Sequence, residues 1–205
     1  ARDGFTAVVH GNYKHEETCA TVSRATQFPG GRYVVVWDKA EAEKVCDYIR
    51  TGRDRQGFLD QFSAKSSPGF DPDLDLQRVG VANQTTMLSS ESLEIGEMLK
   101  SAMRERHGEG KLPEHFRTFD TICSATQDRQ DAVMEMVKEP MDLMIVIGGF
   151  NSSNTSHLCE IASQHAPAYH IDEADCILSA SEIRHKPVGS PLPVVTRDWL
   201  PPGEV

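Results

Sequence analysis

The chain has no closely spaced pair of cysteines. Cys19, Cys46, Cys123, Cys159 and Cys176 are scattered and odd in number, which argues against the disulfide framework of a small secreted domain and for a reducing compartment. No apolar run reaches the roughly 18 residues that a spanning helix requires, so no membrane span is expected. The opening ARDGFTAVVHG has neither the basic start nor the apolar stretch of a secretory signal, and it reads as a strand already under way. Basic residues are also scarce: 21 Lys and Arg face 31 Asp and Glu, a formal charge of −10. A polynucleotide needs a basic face to meet its phosphates, so no nucleic-acid partner is expected. Any phosphorylated ligand would have to be held largely by backbone dipoles, hydroxyls and imidazoles.

With 205 residues, 39% of them hydrophobic, the chain is long enough for a substantial core, and length alone allows one large or two small domains. Short apolar runs alternate with longer segments of helical period, the pattern of parallel α/β structure. Phe5–Val9, Tyr33–Trp37 and Arg78–Ala82 read as strands. Glu16–Ala25, Ala40–Ile49 and Glu91–Arg106 read as helices, the last with Leu93, Met98, Leu99 and Ala102 near helical spacing. Residues 51–75 are rich in Gly, Ser, Pro and charge and read as a peripheral surface insertion. A polar stretch over 107–114 then marks a domain boundary, giving domains 1–114 and 115–205. The second begins with a strand, Phe116–Ile122, that runs into Cys123. A helix to Lys138 follows, where Ser124 and Gln127 have the spacing of a capping box. DLMIVIG is the strongest buried-strand signal, and Thr155–Gln164 and Ala168–Ile171 read as the next helix and strand. The Pro-rich tail from Lys186 reads as extended, without a closing element.

Four polar segments sit where strands give way to helices. In GGFNSSNTSHL, Ser152, Ser153 and Asn154 lie at a helix N-terminus, where unpaired N–H groups and the macrodipole favour an anion such as phosphate. One of them can equally be a simple N-cap. Cys123 follows the C-terminal end of a strand, the edge at which open α/β sheets place ligands. A thiolate there can serve as nucleophile or metal ligand, while a neutral buried thiol is the plainer alternative. HGNYKHEET gathers His10, His15, Glu16 and Glu17 after the first strand, a group suited to proton transfer or only to favourable helix-end electrostatics. Gln84, Thr85 and Thr86 follow the third strand and can orient a ligand or cap the next turn.

Together and in this order, HGNYKHEET, NQTTM, TICSATQDRQ and GGFNSSNTSHL resemble the motifs of the 4-hydroxy-3-methylbut-2-enyl diphosphate reductase (LytB) family, particularly its plastid and cyanobacterial branch. The resemblance runs essentially from end to end. It implies two of that family's three three-layer α/β domains, with mainly parallel sheets around a central iron–sulfur site, the second domain being incomplete. It also implies reductive dehydroxylation of the allylic diphosphate to isopentenyl and dimethylallyl diphosphates, the last step of the non-mevalonate route. In that scheme Cys123 is one of three ligands of a 4Fe–4S cluster and Glu17 supplies protons. His15, Thr85, Ser152, Ser153 and Asn154 contact substrate, and the electrons come from a donor such as ferredoxin or flavodoxin, in the plastid stroma or a bacterial cytoplasm. The family's other two cluster cysteines would lie upstream of Ala1, and its closing G-A-S-T-P segment would follow Val205. The chain is therefore expected to be a fragment, inactive by itself. Two other readings compete: a redox-silent phosphate-binding α/β protein such as a sugar-phosphate isomerase, and an interaction module without activity.

Overall fold

Valines at alternate positions organise the first sheet. The computed structural model describes residues 3–118 and 123–201, which fall into two units, 1–122 and 123–205. In chain order the first unit runs β1 (Thr6–His10), α1 (Glu16–Thr26), β2 (Tyr33–Val36), α2 (Lys39–Thr51), α3 (Arg55–Phe62), α4 (Pro72–Asp75), β3 (Val79–Asn83), α5 (Ser89–His107), α6 (Leu112–His115) and β4 (Phe116–Thr118). The strands pair in the order β2-β1-β3-β4, all parallel. Because side chains alternate along a strand, Val8, Val34, Val36, Val79 and Val81 share one face, where they form a core with Val45 and Ile49 of α2 and Ile95, Leu99 and Met103 of α5. The intervening Ala7, Gly80 and Ala82 line the opposite face beside Thr21 and Ala25 of α1. The unit is thus three-layered. From β1 the chain passes to β2 on one side and later to β3 on the other, so the C-terminal ends of β1 and β3 flank a topological switch point, where this class of sheet gathers ligands.

Local chemistry agrees with these boundaries. Asp38 caps α2 by accepting the Glu41 amide at 2.8 Å, and Gly52 ends that helix in the left-handed region at φ 60°, a conformation that favours glycine. In α5 the sequence pattern is partly wrong. Leu93 is 63% exposed, and Ile95 and Met103 occupy the core instead.

The segment 51–75 is not peripheral. It forms α3, a short 3₁₀ turn (Ser63–Lys65) and α4, and it sends Phe58, Phe62 and Phe70 into the main core. Phe58 lies 4.7 Å from Phe62 and 4.9 Å from Tyr48, centroid to centroid. Three buried aromatic anchors outweigh the polar composition around them, because aromatic side chains carry a large apolar area into a core. The strand beginning at Phe116 also departs from expectation: it pairs with β3, with Val79 opposite Phe116, so residues 116–118 complete the first sheet rather than opening the second unit. The rest of that expected strand, residues 119–122, lies outside the described residues.

The second unit contains α7 (Ser124–Met136), β5 (Met144–Ile147), α8 (Ser153–Ser163), β6 (Ala168–Ile171), β7 (Ile177–Ser179), β8 (Glu182–His185) and β9 (Val194–Arg197). β5 and β6 pair in parallel, whereas β7, β8 and β9 form an antiparallel sheet that the sequence did not announce. The tail therefore does have a closing element. Trp199 is buried with Ile171, Cys176 and Ile183, its indole donates to the Ser179 carbonyl at 3.2 Å, and Tyr169 donates to its carbonyl at 3.1 Å. β5 is less enclosed than its composition predicts: Ile147 is 65% exposed, because among the described residues β5 has one strand neighbour.

Two measurements check this packing. Phe62, 1% exposed, fills the core from a segment that reads as a loop, so Phe62→Ala should lower unfolding stability by about 3–5 kcal/mol in denaturant titration; a loss under about 1 kcal/mol would return the segment to the periphery. His185 is buried on β8, and burial holds its pKa below the ordinary 6.5. The unfolded chain then takes up the proton first as pH falls, so the stability tied to neutral His185 is present above pH 6.5 and is lost below it. The melting midpoint should drop more steeply below pH 6.5 in the parent chain than in His185→Gln, and equal slopes would contradict the burial argument.

Candidate functional site

In the first unit the polar residues expected at the ends of β1 and β3 meet. His15 is the N-cap of α1, its Nδ1 accepting the Glu17 amide at 3.3 Å. Accepting at Nδ1 places the ring hydrogen on Nε2, leaving that edge as a donor suited to an anion. Glu16 and Glu17 lie in the first helical turn, where the macrodipole favours carboxylates. Across the switch point, Thr85 donates to Glu17 Oε2 at 2.8 Å and Thr86 donates to the same oxygen at 3.2 Å. Glu17 is thus held by two hydroxyls from the segment after β3, although 68 residues separate it from Thr85. A side-chain carboxyl so gripped, half-buried at the ligand edge of a parallel sheet, is placed to exchange protons with a bound molecule.

Sequence reading missed what builds this cluster. Gln84, set beside the threonines as one of several polar residues, is buried and bridges the two segments, accepting from the Asn12 amide and the Thr18 hydroxyl, both at 3.0 Å. Gly11 permits the approach: a Cβ there would lie 2.7 Å from Thr18 Oγ1 and 2.9 Å from Gln84 Cβ. The NQTTM motif named the right segment, but only the parallel pairing of β1 with β3 shows which of its residues turns inward.

In the second unit, β5 leads into α8 through the turn that carries Ser152, Ser153 and Asn154. Ser152 is the N-cap, accepting the Thr155 amide at 3.2 Å and the Thr155 hydroxyl at 2.9 Å. The capping alternative therefore holds for Ser152. Ser153 and Asn154 are the first helical residues, and Asn154 Oδ1 is buried without a hydrogen-bond partner among the described residues. Burying such a carbonyl oxygen without a donor is costly. The turn itself is fixed: Gly148 packs so tightly on Thr155 that a Cβ would overlap its hydroxyl, and His170 Nε2 donates to the Gly148 carbonyl at 2.8 Å. Lys186, which sequence reading left in the tail, donates to the Phe150 carbonyl at 2.6 Å and brings a cation to the same turn.

Cys123 is exposed and is the N-cap of α7. The expected capping box is absent: Ser124 is already helical, no side chain caps the helix, and Gln127 bonds instead to Asp131 at 2.7 Å. The thiol itself occupies the cap position, so a box one residue further on would start the helix too late. The other cysteines differ. Burial pushes the Cys46 thiol up to about 12 and the Cys159 thiol up to about 11, which keeps both protonated. Cys176 is buried with Arg184 Nη2 3.4 Å from its sulfur, and Cys19 is exposed on α1. Among the described residues no group of three or more His, Cys, Asp or Glu side chains comes together as a metal site. No helix among them is long and apolar enough to cross a membrane.

The LytB protein family model matches residues 1–190, nearly the whole chain. The 4-hydroxy-3-methylbut-2-enyl diphosphate reductase of Thermosynechococcus vestitus is 54% identical over 198 residues, covering 96% of this chain and 48% of the relative. That of Gloeobacter violaceus is 52% identical over 205 residues, covering 100% of this chain and 48% of the relative. The chain thus spans about half the length of the curated relatives it matches. A solved structure, the E-1-hydroxy-2-methyl-but-2-enyl-4-diphosphate reductase from Plasmodium falciparum, superimposes with a TM-score of 0.55 at 22% identity, covering 86% of this chain and 45% of that one, a likeness of fold. A parallel α/β architecture, a carboxyl held at its switch point, a polar helix N-terminus and matches along almost its full length place the chain in the LytB family.

Proposed function

We propose that the chain is part of a 4-hydroxy-3-methylbut-2-enyl diphosphate reductase, which removes the substrate's hydroxyl as water with two electrons and two protons and yields isopentenyl and dimethylallyl diphosphates. The observation that carries this reading is the double hydroxyl grip on Glu17 by Thr85 and Thr86. Hydroxide is a poor leaving group unless it is protonated, so the reaction needs a positioned acid. Glu17 is that acid in this reading, with Thr85 as its relay. His15 offers its Nε2 hydrogen to the diphosphate. Ser153, Asn154 and the N-terminal amides of α8 bind the same anion, Ser152 holding the turn while presenting its own hydroxyl, because a helix N-terminus stabilises negative charge without a lysine.

Cys123 fits one position in a cluster's ligand set: its thiol is exposed at the start of a 13-residue helix, and the helix dipole favours the thiolate that iron requires. When bound, a 4Fe–4S cluster supplies the two electrons, replenished by a donor such as ferredoxin or flavodoxin. Burial keeps Cys46 and Cys159 protonated, and among the described residues neither Cys19 nor Cys176 joins a group of three or more possible ligands, so in this reading the remaining ligands belong to parts of the whole reductase outside this chain. We assign that whole protein to the plastid stroma or, in a bacterial host, the cytoplasm; the similarity to cyanobacterial reductases supports either setting.

In the full-length protein, Glu17→Gln should slow turnover by about 10²-fold, the scale of a lost general acid, with substrate affinity nearly unchanged. Near-normal turnover would remove Glu17 from the reaction. Replacing Ser152 and Ser153 together by Ala should weaken diphosphate binding, measured by calorimetry, by about 1–3 kcal/mol, the scale of hydrogen bonds to a charged group. Unchanged affinity would leave Ser152 as a cap only and Ser153 without a role in binding.

A further inference from the structure

Gln84 makes more connections than a residue that merely fills space between two loops. Its side chain is 1% exposed, and its backbone amide donates to the His10 carbonyl at 2.8 Å. The carboxamide oxygen accepts from Asn12 N and Thr18 Oγ1, and the carboxamide nitrogen donates to Thr86 Oγ1 at 2.9 Å. These roles cannot be exchanged by turning the amide over. The Asn12 backbone N–H can only donate, so the Gln84 oxygen must face it and the NH₂ must face Thr86.

That orientation fixes the next hydroxyl. Thr86 oxygen receives a hydrogen from Gln84, so its single hydrogen is directed to Glu17 Oε2. Thr85 reaches the same Oε2, but among the described residues no donor stands behind it. One hydroxyl is therefore locked as a donor while the other can turn. With both hydroxyls on Oε2, that oxygen is the poorer proton carrier and Oε1 the better one, because a proton on Oε2 would compete with hydrogens already pointed at it.

We propose that Gln84 is a positioning residue that locks Thr86 as a permanent donor to Glu17, so that Glu17 gives up its proton from Oε1 and is reprotonated on Oε2 by Thr85, not by Thr86. This rests on the reading of Glu17 as the acid. The line runs in one direction, from the Asn12 amide through Gln84 and Thr86 to the carboxylate, and it contains no titratable group before Glu17. Thr86 then acts as a fixed dipole that holds the carboxylate oriented, while Thr85 can accept a proton on one side as it gives one on the other. Nothing is oxidised or reduced in this step: one proton leaves Oε1, the Thr85 hydrogen passes to Oε2, and Thr85 takes up a proton from its other side.

Three variants separate this role from a structural one. Gln84→Glu keeps the oxygen that accepts from Asn12 and Thr18 but removes the donor to Thr86; Thr86→Val removes the hydroxyl alone; Thr86→Ser keeps it. In the full-length reductase, Gln84→Glu and Thr86→Val should each lower kcat by about 10-fold, the scale of one hydrogen bond to a charged group, with KM little changed. Both changes interrupt the same line, so the double variant should be no slower than the slower single one, and Thr86→Ser should restore most of the rate. In the 205-residue chain itself, the infrared carboxylate stretch of Glu17, isolated by difference against Glu17→Gln, should shift in Gln84→Glu and Thr86→Val and stay in place in Thr86→Ser. Additive rate losses, or a carboxylate band that ignores Thr86→Val, would overturn the proposal, and the Thr86 variants decide the matter even if Gln84→Glu fails to fold. If Glu17→Gln itself turned over normally, the reading of Glu17 as the acid would fall first; if Glu17→Gln were slow while Gln84→Glu and Thr86→Val were not, only the role of Gln84 would be lost.

Discussion

Because β1 and β3 run parallel with His10 opposite Asn83, the segments that leave the sheet at Gly11 and Gln84 leave side by side, and the polar cluster around Glu17 depends on that register. A slip of one residue would turn Val8 and Val81 out of the core and aim Gln84 away from Asn12 and Thr18. The apolar face makes such a slip costly, since Val8, Val79 and Val81 are buried against α2 and α5. The same hydrophobic pattern that stabilises the sheet therefore places Thr85 and Thr86 on Glu17. Stability and chemistry are coupled here through geometry.

In the proposed function the second unit meets a different demand, the binding of negative charge in a chain that is itself acidic. Net charge matters little at short range, where the N-terminal amides of α8, the hydroxyl of Ser153 and the Asn154 carboxamide set the local field. Gly148 and His170 hold the turn rigid, so the donors are oriented before a ligand arrives. Rigid donors cost less to organise at the moment of binding than mobile lysines would. The acidic balance and an anion site are thus compatible, and the sequence contains the reason: small and hydroxylated residues concentrate at this one strand-to-helix turn.

Much of this was legible from residue order alone. The strand-to-helix junctions stood out because apolar runs of strand length end in clusters of His, Glu, Ser, Thr and Asn; the clusters over residues 15–17 and 152–154 lie at the starts of α1 and α8, whereas Gln84, Thr85 and Thr86 precede α5. What stayed hidden was long-range. Phe58, Phe62 and Phe70 are isolated aromatics in a polar stretch, and only their packing with one another and with Tyr48 in the main core explains their burial. Residues 116–118 are locally indistinguishable from the first strand of a new domain; pairing with β3 decides their membership. The capping box at Ser124 failed because Cys123 already occupies the cap, a one-residue offset that spacing rules do not resolve. Gln84 was visible as a polar residue but not as a hinge pin, since its partners lie 66 and 72 residues away in the chain.

In the proposed function, this chain supplies the acid, the anion-binding turn and one exposed cluster thiol, Cys123, while the other cluster thiols come from elsewhere in the reductase. A cubane cluster is normally anchored by several thiolates, and within the second unit Cys159 and Cys176 are both buried. The direct measurement is bound iron, together with the broad visible charge-transfer absorbance, after anaerobic reconstitution of the 205-residue chain with iron and sulfide beside a full-length reductase. The account predicts no stoichiometric cluster in the chain alone, and in the full-length protein a cluster that Cys123→Ser destabilises. A stoichiometric cluster formed by the chain alone would contradict it.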